Sequence, residues 1–279
     1  MKLFVTGATG FIGAHFVKHA LQCGAEIIAH RRSESSTPVI ELPDEVRWIT
    51  KALEEIDQND MVGCNSVVHF AATGVTPKPA TWQECFRFNT LVSMNLLETA
   101  KAAGVARFVA AGSYAEYGRA GLRFDPIPPD APLEPTDPYA ASKAASCIGM
   151  AAFARANKME FYYGRVFSAY GEGQSEPNFW PQLRMSALSG EDFAMTKGEQ
   201  VRDFIPVGNV AEAFYQACER NDMVAGEPMM RNVASGCPVT LRDFAEQKWQ
   251  EWNATGKILA GQIEYRPNEV MRFVPLVTK

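Results

Sequence analysis

Short apolar runs alternate with longer amphipathic stretches along most of the chain. Lys2 to Thr6 is a short apolar strand, and Phe11, Ile12, Phe16, Val17, Ala20 and Leu21 then recur at helical spacing. Further strands are predicted at Glu26 to Ala29, Val46 to Thr50, Ser66 to Phe70, Ala106 to Ala111, Glu160 to Phe167 and Met229 to Ala234. A long amphipathic helix is predicted from Trp82 to Ala103, and another from Pro138 to about Asn157. Asp137 is a good N-cap for the second of these and Pro138 a good first helical residue. Such alternation predicts an α/β fold whose parallel, doubly wound sheet is covered on both faces. Ser35 to Pro43 reads as a polar loop, and the Pro-rich residues 119–136 as a loop over the crevice at the strand ends.

A chain of 279 residues has room for one large α/β domain, or for a domain with a smaller appendage. The hydrophobic share of 47% is that of an ordinary globular protein. A net charge of −5 without any basic block argues against nucleic acid or an anionic membrane as the main partner. Six cysteines are scattered without C-x-x-C spacing, and no signal peptide is read at the start. Reduced thiols in a cytoplasm are therefore expected, with no disulfides and no metal site. No apolar run approaches the length of a membrane span.

The first strand runs straight into Gly7-Ala-Thr9-Gly10-Phe11-Ile12-Gly13, the strand–turn–helix context that a phosphate-binding turn requires. Gly7 allows the tight turn, Gly10 lets backbone approach a pyrophosphate, and Gly13 lets helix and strand pack closely. The spacing is G-x-x-G-x-x-G, not the G-x-G-x-x-G of most dinucleotide folds; Thr9, Phe11 and Ile12 belong to the same predicted cofactor turn. The second strand ends in His30-Arg31-Arg32-Ser33, where an acidic residue would accept hydrogen bonds from ribose hydroxyls. Two guanidinium groups suit a 2′-phosphate instead, so NADP(H) is expected over NAD(H). Ala71 and Ala72, after the fourth strand, leave room to floor the cofactor site, whereas His69 reads as a packed strand residue.

Catalytic chemistry is expected at the carboxyl ends of the strands. Ser113 closes the fifth strand there, placed to hydrogen-bond a substrate oxygen. Tyr139 and Lys143 are four apart, on one face of the helix beginning at Pro138. A free phenol has a pKa of about 10, and an ammonium beside it would lower that value toward a usable acid/base.

Together Gly7-x-x-Gly10-x-x-Gly13, His69-Phe-Ala-Ala72, Asn89, Ser113 and Tyr139-x-x-x-Lys143 resemble the extended short-chain dehydrogenase/reductase family. Within it they resemble the nucleotide-sugar branch of epimerases, dehydratases and 4-ketoreductases. The resemblance implies a Rossmann domain at residues 1–167 and 201–238, with a small substrate-binding lobe at 168–200 and 239–279. It adds Asn89 to the cofactor set, beside Tyr139 and Lys143. Arg165-Val-Phe-Ser168-Ala-Tyr170-Gly171 resembles the segment where substrate binding begins, with Ser168 in the place of the family's usual Asn. Pro177 to Gln182 should open a lobe helix, with Asn178 near the sugar-nucleotide diphosphate. Val207 to Ala213 and Thr240 to Asn253 resemble later helices. Gln200-Val-Arg202-Asp203-Phe204 matches the family's R-D-F/Y segment, whose Arg serves the substrate pyrophosphate. Two departures stand out. Ala52 lies about where an adenine-touching Asp is common, and the chain ends at Lys279, where members usually continue into another short helix.

The resemblance implies hydride transfer between a nicotinamide and a sugar carbon, usually C4. Dehydratases of the family carry an Asp-Glu pair after the Ser/Thr; Tyr114 and Ala115 stand there instead, and Glu116 is one residue late. An epimerase returns its hydride and can keep one NAD, whereas a reductase draws on an exchangeable pool, usually NADPH. Arg31 and Arg32 therefore favour reduction of the C4 ketone of a nucleotide-activated 4-keto-6-deoxy or dideoxy hexose. A 4-epimerase is the alternative, and a catalytically silent NADP-sensing protein an alternative of another class. Ser113, Tyr114, Ser168, Asn178 and Arg202 are the expected substrate contacts. A homodimer is implied through a four-helix bundle built from Trp82–Ala103 and Pro138–Asn157 of each copy.

Overall fold

The apolar runs become strands of one sheet. In the computed structural model, which describes residues 1–75, 80–267 and 269–277, β1 (Lys2–Thr6), β2 (Glu26–Arg31), β3 (Arg47–Thr50), β4 (Ser66–His69), β5 (Arg107–Ser113) and β6 (Glu160–Val166) follow in turn. The short β7 (Ala169–Tyr170), β8 (Phe193–Met195), β9 (Val201–Asp203) and β10 (Ile205–Pro206) precede β11 (Met229–Val233). After it come β12 (Pro238–Thr240), β13 (Ile258–Ala260) and β14 (Arg272–Phe273). Thr278 and Lys279, at the end of the expected lobe, and Asn268 within it lie outside the described residues.

Seven strands form a parallel sheet in the order β11-β6-β5-β4-β1-β2-β3. The direction of winding reverses between β1 and β4, so the crevice opens at the carboxyl ends of those two strands. Alternate residues of β1 point to opposite faces: Leu3 and Val5 enter one apolar layer and Phe4 the other. The first layer is closed by Phe16 and Val17 of α1 (Phe11–Gln22) and by Phe214 of a later helix. The second is closed by Leu96, Leu97, Met150 and Ala154.

The stretch predicted as one helix from Trp82 changes its winding midway. α2 (Trp82–Cys85) leads into a π-helical segment, Phe86–Val92, before α3 (Ser93–Ala102) resumes the α pitch. The wider turns carry buried Asn89, whose amide cannot be left unpaired in the interior. Its Oδ1 accepts from the Thr73 N–H (2.8 Å), and its Nδ2 donates to the Thr73 carbonyl (2.9 Å) and to Ser142 Oγ (2.9 Å). Ser142 Oγ in turn donates to the Tyr139 carbonyl at 2.8 Å. Asn89 thus fastens the chain after β4 to α4 (Pro138–Ala156).

Beyond the sheet, α5 (Phe179–Ser189) and α7 (Leu241–Glu251), with the β8–β13 pair, enclose a separate apolar cluster of Leu183, Ala187, Met195, Ala245 and Trp249. Between them α6 (Val207–Glu219) returns to the sheet against α1. The Pro-rich loop is pinned by the C-terminal stretch: Ile127 N–H donates to Val274 O (2.8 Å) and Leu276 N–H to Ile127 O (2.7 Å). None of the described helices is long and apolar enough to cross a membrane.

His69 is sealed inside β4, with Nδ1 hydrogen-bonded to Thr6 Oγ1 (2.7 Å) and Nε2 to Ser93 Oγ (2.8 Å). Burial, aided by the positive charge of Lys143, lowers its pKa from 6.5 to about 3. Over that interval the unfolded chain takes up a proton that the folded one refuses, so stability must fall as pH drops below 6.5 toward 3. Thermal midpoints of the wild type should therefore decline on acidification through this range. In His69→Gln the decline should be shallower, which melting curves at stepped pH would show.

Candidate active site

The glycine turn is shaped by two close approaches. Gly7 has φ +68°, and a Cβ there would lie 2.6 Å from the Ala71 nitrogen. At Gly13 a Cβ would lie 2.1 Å from the Gly7 carbonyl oxygen, so only glycine lets α1 pack on the turn. Gly10 N-caps α1 without a side-chain partner for its first N–H groups, an arrangement suited to a phosphate.

A 280 Å³ cavity opens beside the turn and is lined by Gly7, Thr9, Gly10, Ala71 and Ala72, with Arg31 and Arg32 at the end of β2. Of the predicted cofactor residues, Phe11, Ile12, which packs on the sheet, Gly13 beneath the turn, and Tyr139 and Lys143 of the later helix lie outside it. Asn89 is also absent from the lining; its polar atoms serve Thr73 and Ser142, so its part is to hold the site together. The two arginines differ in a way that adjacency in sequence does not reveal. Arg31 donates from Nε to Thr50 Oγ1 (2.9 Å), pairs with Glu34 and lies 5.2 Å over the Trp48 ring. Arg32 is exposed and has no ion pair among the described residues. Beside it Ser33 Oγ meets Ser35 Oγ (2.9 Å) and Ser36 Oγ (3.0 Å), and Ser36 lines the cavity.

Sequence reasoning missed His30 and Glu54 in this lining. His30 donates from Nε2 to the Lys51 carbonyl (2.8 Å), and burial lowers its pKa, so it faces the cavity uncharged near neutrality. Glu54 stands two residues beyond Ala52, bringing a carboxylate to the wall where Ala52 has none. The 3₁₀ turn at Leu53–Glu55 produces that displacement, and no sequence pattern announced it.

Ser113, Tyr139 and Lys143, the predicted catalytic set, stand at the end of β5 and on the first turns of α4. Asp137 Oδ1 accepts from the Ala140 N–H (2.9 Å) and Pro138 opens α4, which sets Tyr139 and Lys143 on its first turns. Ser113 ends β5, and its hydroxyl is near enough to the Tyr139 phenol to lower its pKa. The electrostatics differ from the expectation, however. Burial raises the Tyr139 pKa, the Glu116 charge raises it further, and the Ser113 hydroxyl opposes them. Lys143 is buried, which lowers its own pKa while Glu116 acts to raise it. Desolvation and the Glu116 charge thus dominate at the phenol, the expected lowering by Lys143 is not among its main influences, and Tyr139 holds its proton. Glu116 itself turns away from any dehydratase position: its Oε2 accepts from Arg165 Nε at 2.8 Å in a buried ion pair.

A second cleft, of 730 Å³, is lined by Tyr114, Asp137, Leu122 and Phe273 together with Arg119, Arg202 and Arg266. Arg202 is aimed by its neighbours, donating to Val201 O (2.9 Å) and Val270 O (2.6 Å), with Glu269 Oε1 at 3.4 Å. Asp203 is not its partner; that carboxylate accepts from the Ser235 and Gly236 N–H groups at 2.7 and 2.8 Å. Tyr114 packs against Phe167 and Phe273, each ring centroid 5.5 Å away. Ser168 and Asn178 do not line this cleft. The Ser168 carbonyl accepts from Ile205 N–H, and Asn178 N-caps α5 while its Nδ2 donates to Ser175 O (3.1 Å). Arg119 and Arg266 went unpredicted, because segments 147 residues apart in the chain place them on one wall.

Known proteins resemble this chain in sequence and fold. Residues 3–233 match the model of the "NAD dependent epimerase/dehydratase family". A UDP-glucose 4-epimerase of Corynebacterium glutamicum is 29% identical over 273 residues, covering 88% of this chain and 79% of its own. A dTDP-glucose 4,6-dehydratase of Streptomyces antibioticus is 30% identical over 266 residues, covering 88% and 75%. The solved structure of MoeE5 in complex with UDP-glucuronic acid and NAD is 28% identical and superposes with a TM-score of 0.82, over 99% of this chain and 90% of that one. With residues 3–233 matched, the chain belongs to the NAD dependent epimerase/dehydratase family of extended short-chain dehydrogenases/reductases and is an enzyme.

Proposed function

We propose that the enzyme reduces the C4 ketone of a nucleotide-activated 4-keto-6-deoxy or dideoxy hexose with NADPH. The observation that carries this reading is the ribose end of the cofactor cavity. There Arg32 presents an uncommitted guanidinium beside the Ser33–Ser36 hydroxyls, while the carboxylates of this region are paired, Glu34 with Arg31 and Glu54 with Arg87. That set suits a 2′-phosphate better than a bare ribose diol.

NADPH supplies the hydride when bound. Tyr139, kept protonated by burial, gives its proton to the oxygen that gains charge at C4, and the Ser113 hydroxyl polarises the same carbonyl. Lys143, one turn along, is placed to hold the nicotinamide ribose. Arg202 and Arg266 suit the substrate diphosphate, while Tyr114, Leu122 and Phe273 offer apolar surface to a deoxygenated sugar carbon. In this reading residues 168–200 and 239–279 form the substrate lobe, on the Rossmann domain of 1–167 and 201–238. Six cysteines without disulfides and a demand for a reduced cofactor pool accord with the cytoplasm. A 4-epimerase that keeps NAD is the second reading, favoured by the binding of Arg31 to Glu34 and by the UDP-glucose 4-epimerase relative.

NADPH absorbance followed with an NDP-4-keto-6-deoxyhexose separates the two. Epimer formation at C4 with a non-exchanging NAD, and no net oxidation, would reject the reductase. Tyr139→Phe should lower kcat by roughly 10²- to 10⁴-fold while leaving NADPH affinity, read by fluorescence, nearly unchanged. Arg32→Ala should raise the KM for NADPH about tenfold or more and leave that for NADH within a factor of about two. Equal effects on both cofactors would count against the 2′-phosphate assignment.

The same reading includes a homodimer through a four-helix bundle. Leu91 and Ile148 are 59% and 63% exposed on the two helical segments that would build it, and Trp82 stacks on Phe86 nearby. Apolar groups of that size call for a covering partner. Ile148→Glu should sediment as a monomer where the wild type sediments as a dimer.

A further inference from the structure

We propose that Glu116 is a positioning residue for the reaction, a single buried carboxylate that fastens the Ser113 strand end to the helix carrying Tyr139 and Lys143. It rests on the reading of those three as the reacting groups. Glu116 lies in the 3₁₀ turn Tyr114–Tyr117 directly after β5 and has no solvent exposure. Its Oε1 accepts from the Ser113 N–H (2.7 Å) and from the Tyr163 hydroxyl (2.8 Å), and its Oε2 from Arg165 Nε (2.8 Å). The Tyr163 hydroxyl also lies 3.1 Å from the Lys143 carbonyl oxygen, so one proton is shared between the turn and α4. β5 and β6 therefore meet at this side chain, and α4 is tied to it through Tyr163 and Arg165.

Space has been cleared for this junction. At Gly112 a Cβ would lie 2.2 Å from the Tyr163 ring and 2.7 Å from Glu116 Oε1, so a larger residue would push the bridge apart. The rest of the fork is satisfied as well: Arg165 Nη1 donates to Pro129 O (3.0 Å) and Nη2 to Cys147 Sγ (3.3 Å). Apolar residues often replace a buried ion pair without loss of stability, so stability alone does not explain this one. Orientation does, because the Ser113 and Tyr139 hydroxyls must meet at one carbonyl oxygen and small displacements there are costly.

Glu116 also acts as a charge. It is faced by Arg165 and Tyr163 from β6, by Tyr139, Lys143 and Cys147 from α4, and by Tyr117 in its own turn. Neutralising it should let the Tyr139 phenol ionise at lower pH, after the burial that dominates that group.

Two variants test this. Tyr163→Phe leaves the ion pair intact and should fold, bind NADPH normally, keep its KM for the keto sugar and lose kcat roughly tenfold or more. Glu116→Gln should in addition bring the alkaline fall of kcat to lower pH than in the wild type. A smaller loss in Tyr163→Phe, or a loss matched in NADPH affinity, would overturn the proposal. Should Glu116→Gln fail to fold, Tyr163→Phe decides alone. A crystal structure of Tyr163→Phe gives a readout that needs no substrate: the Ser113 and Tyr139 hydroxyls should shift relative to one another from their wild-type positions, and unchanged positions would refute the positioning role. If the wild type reduces no keto sugar, the reductase reading falls, and that structure still decides whether Glu116 positions the pair.

Discussion

The backbone leaving β1 runs against the backbone leaving β4 at a distance that admits no side chain. Gly7 faces Ala71 there, and Gly13 faces the Gly7 carbonyl, with room only for hydrogen at either position. That approach brings the start of α1 to the point where the sheet reverses its winding, and it makes the crevice a place where phosphate can reach open N–H groups. The cavity lined by Thr9, Ala71 and Arg32 and the meeting of Ser113 with Tyr139 both lie at the strand ends that this contact organises.

Desolvation governs the charges of the crevice more than pairing does. Lys143 and His69 are buried and Tyr139 is half-buried, and for each the largest influence is the loss of water around the charged form. The consequence differs by group: the phenol keeps its proton, the imidazole stays neutral, and the ammonium is weakened. A tyrosine that holds its proton is suited to giving it up only when charge develops on a neighbouring oxygen, which is the task of a general acid in ketone reduction. Glu116 is the carboxylate through which the surroundings push back, raising both Tyr139 and Lys143.

The cleft beyond the crevice combines three arginines with an apolar wall, and its parts come from distant segments. Arg119 follows β5, Arg202 lies on β9, and Arg266 belongs to the C-terminal stretch, whose neighbouring residues pin the Pro-rich loop. Such a surface sets cationic groups beside an apolar face. Ser168 and Asn178, equally plausible from their motifs, do not line it, and the Asn178 amide donates instead to the Ser175 carbonyl.

Strand and helix positions were legible in the sequence because they depend on local periodicity and capping. Lys2–Thr6, the glycine turn and the Asp137–Pro138 start of α4 all stand where residue spacing put them, and the parallel, doubly wound sheet follows from their alternation. Tertiary structure decided what each polar group touches. Asn89 serves Thr73 and Ser142 because a π-helical segment winds it inward; Arg31 is tied to Glu34 and Thr50 while Arg32 stays open; Glu116 is drawn to Tyr163 and Arg165 on the neighbouring strand. A side chain's burial and partners depend on residues tens to more than a hundred positions away, so no local pattern carries them, and with them goes the sign of the pKa shift at Tyr139.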